Sequence, residues 1–218
     1  MPTTYSEISK YWNDNPCAGG SPTFAFNSAE GTKVLEVGCG AGVDAEKFVN
    51  FGAVYTGIDL TDKAVELTKL KIGHKGRVLK MNAEQLVFPD NHFDLVYSWG
   101  VIHHAVNPEQ VVNEIYRVLK PGGLFFFMLY HKHSFKYSVE IMFFRKILWI
   151  LHHPKYRELR KQTPHPTHDQ WVSWNTDNLG CPLSKVYMIE EVIELTKSFP
   201  KLHIFTNTSW FMQGWARK

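Results

Sequence analysis

The chain has 218 residues, 44% of them hydrophobic and 21% charged, a composition that excludes a disordered polymer and is enough for one covered α/β core. A net charge of +3 is too mild to mark a nucleic-acid-binding surface. Met1 to Trp12 lacks the apolar core of a leader, and the longest apolar stretches, 124–130 and 141–151, are too short to span a bilayer, so a cytoplasmic protein is expected. Cys17, Cys39 and Cys181 match no zinc or redox spacing.

A helix over about 4–15 is expected first, either a lid with Tyr11 and Trp12 as its apolar residues or a plain packing helix. Residues 32–37 read as a buried strand ending at Gly38, and Val43 to Phe51 as a helix that Gly52 ends. Ala53 to Ile58 is a second strand, and Thr61 or Asp62 caps the helix that runs to about Lys71. Arg77 to Lys80 and Phe93 to Tyr97 are the third and fourth strands. Asn107 and Pro108 start a helix reaching Leu119. The turn Pro121-Gly122-Gly123 leads into a fifth strand, Leu124 to Leu129. A helix at 189–198 and strands at 201–207 and 210–216 close the chain. Alternating strands and helices with continuous apolar strands predict a doubly wound, Rossmann-like α/β fold, a mostly parallel seven-stranded sheet covered on both faces. One domain over 1–218 is expected, with an insertion over the crevice at about 131–188.

In such a fold the ligand lies beyond the carboxyl ends of the strands, so Gly38 to Gly42, Asp59, Asn82 to Glu84 and Ser98 to His104 should converge. Two ligand classes use a glycine turn of this kind. Gly40-x-Gly42-x-x-Ala45, with Asp59 following, satisfies a dinucleotide pattern and would name an NAD-linked oxidoreductase. Counted from Gly38, directly after the strand, the third glycine would instead fall on Val43. Glu36 beside the turn disfavours a pyrophosphate and suits the amine and sulfonium of S-adenosylmethionine. Alternatively, Glu36 simply accepts hydrogen bonds from neighbouring backbone.

Val34-Leu-Glu-Val-Gly-Cys-Gly-Ala-Gly42 resembles the first motif of class I S-adenosylmethionine-dependent methyltransferases. The run from Asn82 to Val96 resembles their adenine loop and fourth strand. Gly100-Val-Ile-His-His104 and Glu114 to Gly123 resemble the segments that follow. The likeness covers roughly 30–130 and is closest to the branch containing ubiquinone, menaquinone and small-molecule methyltransferases. It implies S-adenosylmethionine as cofactor and S-adenosylhomocysteine as product. The implied contacts are Glu36, Gly38, Cys39, Gly40 and Gly42 at the turn, Asp59 at the ribose with Leu60, and Asn82, Ala83 and Glu84 at the adenine. Trp99, Gly100 and Val101 complete the set. Asn82 departs from the Asp common in this branch but keeps a carbonyl acceptor.

His103 and His104 are the candidate general bases, titrating near neutrality close to where the methyl should point. The competing role for His104 is shaping the loop. An apolar or aromatic small-molecule acceptor is expected, with Tyr11, Trp12, His131, Trp171, Trp174 and Tyr187 as its pocket. From Arg145 to Lys161 there are six Lys or Arg against Glu158 alone, after an apolar helix candidate at 139–151. That combination suits either a peripheral membrane contact or a packed helix with a solvated basic face. His165, His168 and Asp169 fit no standard metal motif, and no metal is expected. Nucleic-acid methylation lacks its Asn/Asp-Pro-Pro-aromatic signature; Ser98-Trp-Gly-Val101 stands there instead. A non-catalytic S-adenosylmethionine-binding protein is the remaining alternative.

Overall fold

The computed structural model describes residues 4–14, 26, 29–177, 179–206 and 210–218. Cys17 and most of the stretch Asn13 to Cys17 lie outside them.

The strands are β1 (Lys33–Val37), β2 (Val54–Asp59), β3 (Gly76–Lys80), β4 (Phe93–Trp99), β5 (Leu119–Tyr130), β6 (Lys201–Thr206) and β7 (Phe211–Arg217). They form one seven-stranded sheet in the order β3-β2-β1-β4-β5-β7-β6. β1 to β5 pair in parallel, while β7 runs antiparallel to both β5 and β6. Strand order reverses between β1 and β4, where Val34, Leu35 and Glu36 pair with Leu95, Val96 and Tyr97. A crevice is therefore expected beyond the carboxyl ends of these two strands.

Side chains alternate across the sheet, so each strand feeds two cores. Leu35, Val37, Val96, Phe125, Phe127 and Leu129 pack on one face. Val34, Leu95, Tyr97 and Phe126 pack on the other, with Phe48 and Tyr55. The covering helices include α1 (Tyr5–Asp14), α2 (Val43–Asn50), α3 (Asp62–Ile72) and α4 (Pro108–Val118). The Thr61 hydroxyl caps α3 by accepting from Ala64 N, and the Asn107 side chain caps α4 by accepting from Gln110 N. Asp94 accepts from Lys33 N at 2.9 Å and pairs with Lys120, tying the bottoms of β1, β4 and β5 together.

β5 starts earlier than predicted, at Leu119, so the Pro121-Gly122-Gly123 turn lies within it. A register shift between Phe93 and Leu95 of β4 accommodates the irregularity. β4 likewise extends to Trp99. The inserted segment opens with a π-helix, Lys136–Phe144, that runs into α5 (Arg145–Ile150); α6 (Arg157–Gln162) and α7 (His168–Thr176) follow. Ile141, Tyr156 and Trp171 form its own small core with Leu148, Trp149 and Leu159. α8 (Ile189–Leu195) then leads into the last two strands.

Candidate functional site

A cavity of about 350 Å³ occupies the crevice. Its wall takes residues from the ends of β1, β2, β3 and β4, from α1, and from Tyr130, Asp177 and Phe211.

The β1 end brings Glu36, Gly38, Cys39 and Gly40 to the wall. Gly38 has φ +80°, and a Cβ there would lie 2.2 Å from the Val101 side chain, so only glycine lets the β1 and β4 loops close together. Gly42 is outside the wall. It has φ +76°, and its missing Cβ would meet Thr68 Cα at 2.9 Å, so this glycine serves the packing of α2 on α3. Cys39 is buried, and burial pushes its thiol pKa up, away from reactivity.

Among the described residues, no backbone N–H donates to the Glu36 carboxylate. The Tyr55 hydroxyl donates to its carboxylate at 2.5 Å from the adjacent strand. Burial pushes the Glu36 carboxyl well above the usual carboxylate range, against the lowering by Tyr55 and with help from Asp44 and Asp59. Asp59 Oδ2 accepts from Gly40 N at 3.1 Å, and Oδ1 accepts from the Thr61 N–H and hydroxyl at 2.9 Å each. The same carboxylate thus ties the glycine turn to the start of α3. Burial raises its pKa, and these donors oppose the rise.

Leu60, Asn82 and Ala83 line the next stretch. Asn82 Oδ1 accepts from Glu84 N at 3.0 Å, a side-chain turn that shapes the loop. Glu84 itself lies outside the wall and accepts from Asn107 N at 2.6 Å. The Tyr5 hydroxyl faces Glu84; burial first, and then Glu84, push it up to about 12.

Trp99, Gly100, Val101 and His104 continue the wall, and His103 does not reach it. His103 is fully buried against the Tyr130 ring, 3.9 Å between centroids; burial and then His104 hold its pKa well below the ordinary histidine value. His104 Nδ1 lies 2.7 Å from Leu183 O, a distance at which it donates. Its Nε2 then keeps a lone pair, 3.4 Å from Asp177 Oδ2. Burial lowers the His104 pKa, opposed by Asp177 and the Leu183 hydrogen bond. The Tyr130 hydroxyl donates to Asp177 Oδ1 and fixes that carboxylate. Among the described residues, His104, Asp177 and Cys181 have ligand-type atoms within 4.8 Å of one another, whereas His165, His168 and Asp169 form no such group.

The expected acceptor pocket is rearranged. Trp12 lines the cavity, with its ring 4.8 Å from that of His104. Tyr11 does not; it packs edge-on against Trp12. Trp171 and Trp174 are also outside, because α7 turns them toward the core of the insertion, where Trp171 donates to Ile141 O and both pack around Trp149. His131 and Tyr187 bridge the start and end of the inserted segment as an isolated β pair and are buried away from the cavity. The aromatic end of the cavity is built instead by Trp12, Trp99, Tyr130 and Phe211, with Met128. Tyr130 and Met128 read in the sequence as buried strand residues. Asp177 and Phe211 belong to no motif, and only the folded insertion and β7 bring them in.

A family model described as a methyltransferase domain matches residues 35–127. Sterol 24-C-methyltransferase of Aspergillus fumigatus is 42% identical over 102 residues, 44% of this chain and 27% of that protein. Ubiquinone biosynthesis O-methyltransferase of Thiobacillus denitrificans is 33% identical over 125 residues, 56% of this chain and 54% of that protein. The chain thus spans between about a quarter and about half of these relatives. Among solved structures, an S-adenosylmethionine-dependent methyltransferase from Methanosarcina mazei superposes with a TM-score of 0.64 at 19% identity, covering 92% of this chain and 99% of that one. Phosphoethanolamine N-methyltransferase 2 of Haemonchus contortus, bound to S-adenosylmethionine, gives 0.56 at 20% identity over 81% of this chain and 35% of that one.

Proposed function

We propose that this chain is a class I S-adenosylmethionine-dependent methyltransferase and that it methylates a small-molecule acceptor bound at the aromatic end of the cavity, a reading supported by the methyltransferase-domain match, the relatives and the shared fold. The observation that carries this reading is the continuity of the cavity from the Glu36–Asp59 carboxylates to His104 and Tyr130. Buried carboxylates around the glycine turn suit a cationic ligand, and they oppose the pyrophosphate of an NAD-type cofactor. S-adenosylmethionine supplies a methyl already activated on a sulfonium.

The chain's own residues are then assigned as follows. Glu36 answers the positive charge of the cofactor, whose presence returns the Glu36 carboxyl toward ionisation. Asp59, oriented by Gly40 and Thr61, accepts from the ribose hydroxyls. Asn82 and Ala83 border the adenine. Helix α1, through Tyr5, Ile8 and Trp12, closes the cavity against water. Trp99, Tyr130, Met128 and Phe211 align an apolar, ring-bearing acceptor. His104 is kept neutral by burial and takes at Nε2 the proton that an acceptor hydroxyl or ammonium loses; Asp177 steadies the imidazolium so formed.

The relatives named for sterol and ubiquinone biosynthesis agree with an apolar acceptor. The test is calorimetric titration with S-adenosylhomocysteine, NAD and NADP, followed by methyl transfer from labelled S-adenosylmethionine to a panel of phenols, catechols and prenylated rings. Saturable binding of S-adenosylhomocysteine alone, with methyl appearing in one of these acceptor classes, is expected. Binding of NAD or NADP instead overturns the proposal.

A further inference from the structure

The inserted helix, from the π-turns through α5, is apolar on both sides. Its inner side buries Tyr137 and Ile141. Its outer side exposes Phe143 by 57%, Phe144 by 56%, Ile150 by 70% and Leu151 by 71%, with Ile147 between them at 37%. Phe143, Ile147, Ile150 and Leu151 follow the i, i+4, i+7, i+8 spacing of one helical stripe. Scattered exposed apolar side chains are ordinary, but a continuous stripe of this size marks an interaction surface.

The rim of the stripe is basic. Lys146, Lys155 and Arg157 are exposed, with His152 and His153 between them in the sequence, and Lys161 beyond them is paired with Glu158. The acids of this segment are engaged, Glu140 by Arg145 and Glu158 by Lys161. No helix among the described residues is long and apolar enough to cross a membrane.

We propose that this surface docks in the plane of an anionic lipid bilayer, with the Phe143–Leu151 stripe in the headgroup–acyl boundary and the basic rim against lipid phosphates. The geometry is that of an interfacial amphipathic helix, in which apolar insertion and attraction to anionic lipid act together. The charge pattern selects lipid over a second copy of the chain. A two-fold interface through the stripe would set each basic rim against its own image, whereas anionic lipid neutralises it. The start of the docked helix is tied to the segment that lines the cavity: Lys136 donates to Thr176 O, next to the cavity residue Asp177.

The test is flotation of the full chain with phosphatidylcholine vesicles and with mixed phosphatidylcholine–phosphatidylglycerol vesicles, at low and high salt. The wild type and two variants, Phe143→Asp/Ile150→Asp and Lys146→Glu/Lys155→Glu, are compared. Because these side chains are exposed, S-adenosylhomocysteine affinity should be the same in all three proteins and serves as the folding control. Binding to the mixed vesicles that weakens about tenfold or more in each variant, and weakens in high salt for the wild type, is the expected result. Absence of wild-type binding to mixed vesicles overturns the proposal, as does undiminished binding of the Phe143/Ile150 variant. A concentration-dependent dimer that this variant dissolves, without vesicle binding, also overturns it in favour of self-association.

Discussion

Replacing Asp177 by Asn tests the proton-transfer arrangement with little change of shape. Asp177 Oδ2 lies 3.4 Å from His104 Nε2, with the His104 side chain buried and that of Asp177 partly buried. At that separation and an effective dielectric constant of about 20, a carboxylate and an imidazolium attract by about 5 kcal/mol. Tyr130 donates to the other oxygen of the same carboxylate and so holds Asp177 in place as the counter-charge. The sign follows from the contributions already identified. Burial lowers the His104 pKa and Asp177 raises it, so Asp177→Asn should lower it further. For an acceptor that must lose a proton, the imidazolium formed in the transition state loses its counter-charge, and kcat should fall by about 100-fold, the scale of a positioned general base. The KM for S-adenosylmethionine should change less than about twofold, since Asp177 is not among the residues assigned to the cofactor. The His104 ring can be titrated by NMR in the S-adenosylhomocysteine complex, with pH profiles of kcat measured in parallel once an acceptor is found. An unchanged or raised His104 pKa in Asp177→Asn refutes the reasoning, and so does equal loss of kcat at every pH for an acceptor that carries no proton.

The Glu36 carboxyl titrates above its unfolded value, so its contribution to stability is lost as pH rises from the unfolded pKa toward the folded one. Glu36→Gln, which can still accept from Tyr55, should therefore raise Tm of the ligand-free protein near neutral pH but not near pH 4, at about 2–4 °C per kcal/mol. The same substitution should weaken S-adenosylhomocysteine binding, and calorimetry that finds it unchanged would remove Glu36 from the site. Asp59→Ala should lower that affinity at least tenfold, because the ribose acceptor and the tie between the glycine turn and α3 are both lost. Gly38→Ala combines a 2.2 Å clash with Val101 and a left-handed φ, and denaturant unfolding should show a loss of about 2–4 kcal/mol. Trp171→Ala should cost about 3–5 kcal/mol of stability while leaving acceptor KM unchanged, because that ring belongs to the core of the insertion. A raised KM at unaltered stability would return Trp171 to the acceptor pocket.

The differences between sequence and structure follow the range of the interactions involved. Caps and turns are local, so Thr61, Asn107 and Gly52 could be placed from neighbouring residues, whereas the structure alone sorts Leu35 and Val34 onto opposite faces of a strand that reads as continuously apolar. Residues at the carboxyl ends of parallel strands meet by topology alone, which is why Glu36, Gly40, Asp59, Asn82 and Trp99 share one wall although up to 63 positions separate them. Two kinds of position were not legible. Gly42 and Glu84 sit within the right motifs, but their direction depends on helix packing and on a cap to Asn107, neither of which a motif encodes. The inserted segment has no repeating frame to orient it. Its tryptophans have the composition of a ligand pocket, but an inserted subcore of this size needs large rings of its own, and Trp149 with Tyr156 draws Trp171 inward. Asp177 escapes notice for the same reason. Its role is defined only by Tyr130 and His104, which lie 47 and 73 positions away and meet it once α7 has docked. The wall built at the strand ends is thus written in the order of strands, and the part that Asp177 completes in how one insertion packs, so the first can be read from motifs and the second only from the folded chain.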